Sequence, residues 1–165
     1  LTGLFNRRFM QESLERELRR ASRASKPLGA ILLDVDHFKR FNDSYGHEAG
    51  DIVLRELSAV LNSQIRGEDI ACRVGGEEFL LVMPDTSLEV TQQRAEKLRE
   101  DCKRVSVQYG GRPLAAITLS MGIAMFPAHG ATCDAILRTA DEALYQAKTQ
   151  GRDCVVVAKP LREAS

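Results

Sequence analysis

The chain has 165 residues and a mass of 18.3 kDa, inside the roughly 100–200 residues usual for one domain. With 44% hydrophobic and 28% charged residues it carries enough apolar surface to build a core, which excludes a mainly disordered chain. Its 23 basic and 23 acidic residues cancel, so no bulk positive field draws nucleic acid, and no apolar run approaches the roughly 18–20 residues that span a bilayer.

Cys72, Cys102, Cys133 and Cys154 form no CxxC pair and no Cys/His cluster. They read as reduced, mostly buried thiols of a cytoplasmic domain rather than as zinc ligands. The chain opens at Leu1 without methionine or a secretory signal, and is expected to be a single domain, residues 1–165, excised from something longer.

Residues 5–25 carry Phe9, Leu14, Leu18 and Ala21 among many charges, the pattern of an amphipathic helix that Pro27 ends. Leu28 to Val35 is a short, nearly continuous apolar run, and so a buried strand. Asp36 to Tyr45 reads as a short helix or turn, and helical period returns from Glu48 to Ile65. Two strands, 70–74 and 77–83, flank Gly75-Gly76 as a β-hairpin. A helix over 87–105 starts on Ser87 as N-cap. Residues 114–126 read as one strand, with Gly122 placed to allow a bulge. A helix over 132–148 stops at Gly151, and 154–157 is a last strand. This order gives an α+β class, with helices packed on a mixed sheet and a βαββαβ palm, ferredoxin-like in outline.

Four constellations carry possible chemistry. Asp34-Val35-Asp36 ends the buried strand. A carboxylate there costs free energy unless it is paired or binds a cation, and magnesium favours one or two carboxylates plus substrate phosphates; the alternative is that both residues cap the next turn. Gly75-Gly76-Glu77-Glu78-Phe79 offers bare, φ-permissive backbone against which a nucleotide could lie, or else an ordinary type I′ hairpin with solvated glutamates. Alternation lets at most one of the two glutamates share a face with Asp34. Lys148 and Arg152 around a helix end either hold phosphate oxygens or complement the helix dipole. Arg66-Gly67-Glu68-Asp69 either recognises phosphate and a guanine edge or is an exposed turn.

Taken in order, these motifs resemble the GGDEF family, the bacterial diguanylate cyclases, from Leu1 to Asp153. Leu1-Thr2-Gly3-Leu4-Phe5-Asn6-Arg7-Arg8 is similar to the family's LTGLxNRR entry. Asp34 to Asp43 matches DxDxFKxxND, and Tyr45-Gly46-His47 with Gly50-Asp51 matches YGHxxGD. The signature stands at Gly75 to Phe79 with Glu at its third position, the GGEEF variant. Ser120 to Ala124 matches SxGIA, and Ala140 through Arg152 matches ADxALYxAKxxGR.

The resemblance implies a nucleotidyl-cyclase or polymerase-palm core, a mostly antiparallel five-stranded sheet flanked by helices. It implies that Asp34, Glu77 and the Val35 carbonyl hold Mg2+ (or Mn2+), and that Glu77 is the base for the attacking hydroxyl. Glu78 would point elsewhere by alternation, as a secondary candidate. Asn42 and Asp51 would hydrogen-bond guanine, Gly75 and Gly76 would admit the nucleotide, and Lys39, Lys148 and Arg152 would bind the triphosphate. Two GTP would become cyclic di-GMP and two pyrophosphates across a two-fold dimer. Arg66 and Asp69 match the family's RxxD inhibitory site, where the product binds; Arg94 or Lys97 is a further basic contact. An upstream region of the longer protein would supply regulation and could anchor it to a membrane. The alternative is a catalytically idle module that senses GTP or cyclic di-GMP for a protein partner. A weaker one is a related cyclase making a mixed purine dinucleotide, against which Asn42 and Asp51 argue.

Overall fold

Leu28–Val35 forms β1, and all eight of its residues are buried. Burial on both faces is what a continuous apolar run requires, because helices must then cover both sides of the sheet. A computed structural model describes residues 6–160. In it the main sheet adds β2 (Ile70–Arg73), β3 (Glu78–Pro84), β6 (Leu119–Phe126) and β7 (Val155–Val157) to β1. The strand order is β2-β3-β1-β6-β7, antiparallel throughout except for the parallel β6–β7 edge. The first four of these strands have the order of a ferredoxin-like split βαβ, so the expected sheet is present.

Alternation along β1 divides the interior in two. Ile31, Leu33 and Val35 pack against α2 (Phe38–Tyr45), α3 (His47–Gln64) and α4 (Leu88–Lys103). Ala30 and Leu32 pack against α1 (Arg7–Ala24) and α5 (Cys133–Thr149). Helix starts are set by side-chain oxygens that accept backbone N–H groups: Asn6 from Phe9 at 3.0 Å, Ser87 from Val90 at 3.2 Å and Thr132 from Ala135 at 3.1 Å. The four cysteines are unpaired, as expected, and three are fully buried. No helix among the described residues is long and apolar enough to cross a membrane.

Two expectations change. The strand read over 114–126 begins only at Leu119, and the segment before it holds a separate hairpin, β4 (Gln108–Tyr109) with β5 (Arg112–Pro113). Gly110 and Gly111, with φ of 59° and 77°, make its two-residue turn. Gly122 sits in no bulge, since the β1–β6 register runs unbroken from Leu28↔Phe126 to Val35↔Leu119. It is glycine because α5 crosses directly over it: a Cβ there would lie 2.3 Å from the Ala140 carbonyl oxygen and 2.4 Å from the Leu144 nitrogen. Asp36–Tyr45 is a two-residue turn followed by α2, in keeping with the short helix or turn expected there. Residues 1–5 of the LTGLxNRR entry lie outside the described residues.

Candidate active site

The site is built at one end of the sheet, where β1 leaves the core. Asp34 is in register with Glu78 on β3 and with Ser120 on β6. The Asp34 carboxylate accepts a hydrogen bond from Lys148 Nζ at 2.9 Å, brought by the last turn of α5. Burial, only partly countered by Lys148, pushes the Asp34 carboxyl above its ordinary range, and Asp36 adds to this while Arg152 opposes it. Burial and then the charges of Asp34 and Asp141 push Glu78 up as well. Glu78 therefore does not point away from Asp34; the register makes the two direct neighbours. Glu77 stands in the signature loop just ahead of β3, half-buried, one residue out of register with Asp34. Its carbonyl accepts the Val35 N–H at 3.2 Å, which ties the signature loop to the end of β1.

Among the described residues no group of three or more His, Cys, Asp or Glu side chains is gathered as a metal cage. What the fold does gather is a carboxylate pair with one lysine, and both carboxyls are held in a partly desolvated, mutually repelling state. That donor set fits a hard divalent cation that arrives with phosphate oxygens rather than one held by protein alone.

Gly75 and Gly76 do not use left-handed backbone, so the hairpin is no type I′ turn. A Cβ on Gly76 would meet nothing within 4 Å, and both glycines leave an open, bare surface. Arg73 shapes the loop: its guanidinium donates to the Gly75 carbonyl at 3.1 Å and to the Gly76 carbonyl at 2.6 Å. This residue escaped the sequence reading, although an arginine entering a Gly-Gly loop is a visible signal.

On the other face, Gly46 at φ 92° breaks the chain between α2 and α3 and donates its N–H to the Asn42 carbonyl at 2.7 Å. The Asn42 side-chain oxygen is buried without a hydrogen-bond partner. It packs so tightly against Gly50 that a Cβ there would overlap it. Asp51 follows Gly50 directly in α3 and is half-buried. Lys39 and Arg152 are exposed, at the start of α2 and just beyond α5.

Asp36, flanking the predicted ligands, is a buried junction. It accepts from Ser120 Oγ at 2.6 Å, Thr118 Oγ1 at 2.7 Å and the Asp153 N–H at 3.0 Å.

The Arg66–Asp69 loop stands at the far end of the sheet. Asp69 accepts the Arg66 N–H at 2.8 Å and Arg94 Nη2 at 2.7 Å. Arg66, Asp69, Thr86, Ser87 and Arg94 line a surface depression of about 700 Å³. Arg94 thus joins the loop, whereas Lys97 pairs with Asp101 instead.

The geometry agrees with what the chain is similar to. The response regulator PleD of Caulobacter vibrioides is 43% identical over 157 residues, 94% of this chain but 35% of PleD, so the chain spans about a third of that relative. The GGDEF domain of DgcB from Caulobacter crescentus, solved in complex with c-di-GMP, superposes with a TM-score of 0.92 at 32% identity, covering 96% of this chain and 90% of that one. The active GGEEF domain of a diguanylate cyclase from Vibrio cholerae superposes with a TM-score of 0.87 at 32% identity, covering 96% and 99%. The family model described as "Diguanylate cyclase, GGDEF domain" matches residues 1–154, and the chain belongs to that family.

Proposed function

We propose that this domain condenses two GTP into cyclic di-GMP with release of two pyrophosphates. The observation that carries the reading is the half-neutralised carboxylate pair, Asp34 with Glu78, at the mouth of the sheet beside bare Gly-Gly backbone. A triphosphate with its cation would complete that charge balance. The Vibrio cholerae domain described as active carries the same GGEEF signature.

In this reading Asn42 and Asp51 receive the guanine edge. The orphaned Asn42 oxygen and the Asp51 carboxylate supply acceptors for guanine N–H donors that adenine lacks, and leaving such groups unpaired is what rejects ATP. Gly75 and Gly76 let the sugar and α-phosphate approach the loop that Arg73 holds. Lys148 would turn from Asp34 toward the phosphates, joined by Lys39 and Arg152. Asp34, its register neighbour Glu78 and the Val35 carbonyl would hold Mg2+ (or Mn2+), in place of the Glu77 ligand that the motif suggests; the bound cation would lower the pKa of the attacking hydroxyl and offset charge on the α-phosphate. Glu77 takes the proton of the 3′-hydroxyl. Each 3′-oxygen bonds to the α-phosphorus of the other nucleotide, and the bond to the β-phosphate oxygen breaks. One domain holds one guanine corner, so two domains face each other across a two-fold axis. Arg66 and Asp69, with Arg94, bind the product at the inhibitory site.

The test is incubation of the domain, fused to a dimeric coiled coil, with GTP and magnesium. Cyclic di-GMP is expected from the wild type, with Glu77→Gln slower by about 100-fold or more. An unimpaired Glu77→Gln would remove the base, and a silent fusion that still binds GTP would replace the enzyme by a sensor.

A further inference from the structure

Beyond the end of α5 the backbone runs through three consecutive left-handed residues: Gly151 at φ 108°, Arg152 at 65° and Asp153 at 49°. Two of them carry side chains, and such backbone persists only where its surroundings over-determine it. Five contacts do so here. The Arg152 N–H donates to the Ala147 carbonyl at 3.0 Å, and the Asp153 N–H donates to Asp36 at 3.0 Å. From α4, Arg99 Nη1 donates to the Asp153 carboxylate at 2.8 Å and to its carbonyl at 3.3 Å. Lys103 Nζ, also on α4, lies 2.7 Å from the other Asp153 oxygen. Burial works against the Asp153 charge, yet Lys103 and Arg99 outweigh it and hold the carboxyl below its ordinary range. Arg99 is itself largely covered and braced by Glu96 and Glu100.

We propose that Asp153, gripped by Arg99 and Lys103, is a positioning residue that holds the turn 151–153 in the shape presenting Arg152 to the triphosphate. The proposal rests on the reading of Arg152 as a phosphate ligand. Arg152 is exposed, and its charge, like that of Lys148, opposes the rise of the Asp34 carboxyl. A free arginine at a helix end would sample many directions. One whose backbone is pinned on both sides loses less entropy on binding phosphate. Without the two cations, the Asp153 carboxylate would stand against Asp36, to which its own backbone is bonded, and the turn would relax.

The experiment measures binding of 3′-deoxy-GTP, which lacks the attacking hydroxyl, and of GMP, which lacks the outer phosphates, both with magnesium. Arg99→Gln/Lys103→Gln is expected to weaken 3′-deoxy-GTP roughly tenfold while leaving GMP unchanged. Asp153→Asn alone is expected to give a smaller loss for 3′-deoxy-GTP and none for GMP, because the amide oxygen still accepts from Arg99 while the ion pair with Lys103 is gone. Should the double variant unfold in a thermal melt, Arg99→Lys, which keeps the charge without the fork, is expected to show a smaller loss for 3′-deoxy-GTP alone. Equal losses for both nucleotides, or no loss while Arg152→Gln binds poorly, would overturn the proposal. An Arg152→Gln that binds 3′-deoxy-GTP as wild type would instead overturn the phosphate reading beneath it.

Discussion

Asn42 and Glu78 are left in states that a folded chain ordinarily avoids: one a buried acceptor with no donor, the other a carboxyl desolvated beside Asp34. Glu78 makes a directional prediction. A carboxyl raised in the folded state binds its proton more tightly there than in the unfolded chain. Stability is therefore lost as pH rises from the ordinary carboxylate value through the raised one. Glu78→Gln should raise the thermal midpoint at pH 8 by roughly 2–4 °C and leave it unchanged near pH 3, where both forms are neutral. A lower midpoint at pH 8 would show that Glu78 is already compensated. At this scale the sequence was legible where a motif placed a residue type, as at Asp34, Lys148 and Asn42. It was not legible where the role depends on register. Whether Glu77 or Glu78 faces Asp34 turns on a one-residue shift in pairing that no local pattern sets.

Among the elements, α5 is the one on which the site most depends, because it lies across β6 at backbone distance and delivers Lys148 to Asp34. Gly122→Ala should force the helix off the sheet, since the new methyl would meet backbone atoms of Ala140 and Leu144 rather than a mobile side chain. A loss of about 2–3 kcal/mol in urea unfolding is expected. An unchanged midpoint would mean that α5 can shift at little cost. The long helices and β1 follow from apolar period, and Ser87 from its capping chemistry. Gly122 was misread because a glycine in a strand signals either a bulge or a close approach, and only the packed helix distinguishes them. The Gly110-Gly111 hairpin was missed although its turn is the one that truly requires left-handed backbone. The Gly75-Gly76 loop, which resembles such a turn in sequence, does not use it.

Across the whole molecule, the Arg66–Asp69 depression lies near the Leu28–Pro84 end of the sheet and the carboxylates near the Asp34–Glu78 end. Six residue steps along β1, from Leu28 to Asp34, separate them, roughly 20 Å at strand rise. A product bound at Arg66 therefore touches no group of the candidate active site in the same domain. Arg66→Ala should leave the initial rate of cyclic di-GMP synthesis unchanged and raise the product concentration for half-inhibition by about tenfold or more. Inhibition as strong as in the wild type would remove the loop from regulation. The overall topology was the most legible level, since alternating helices and strands with two short connections leave few sheet orders open. The junction of Asp36, Asp153 and Arg99 was illegible for the opposite reason: its members are far apart in the chain and meet only after the sheet and α4 have packed.

The buried thiols carry a practical consequence. Cys72, Cys102 and Cys133 are buried, and burial holds their thiols at about 11, 12 and 11, so these three are both covered and un-ionised at neutral pH. Those three are then nearly silent toward maleimide reagents, and only the half-buried Cys154 need be replaced. One cysteine introduced on the exposed surface, at Glu68 for instance, could carry a spectroscopic label without first stripping the core of sulfur. The distance between two such labels would report directly whether a pair of these domains approach each other when GTP and magnesium are added.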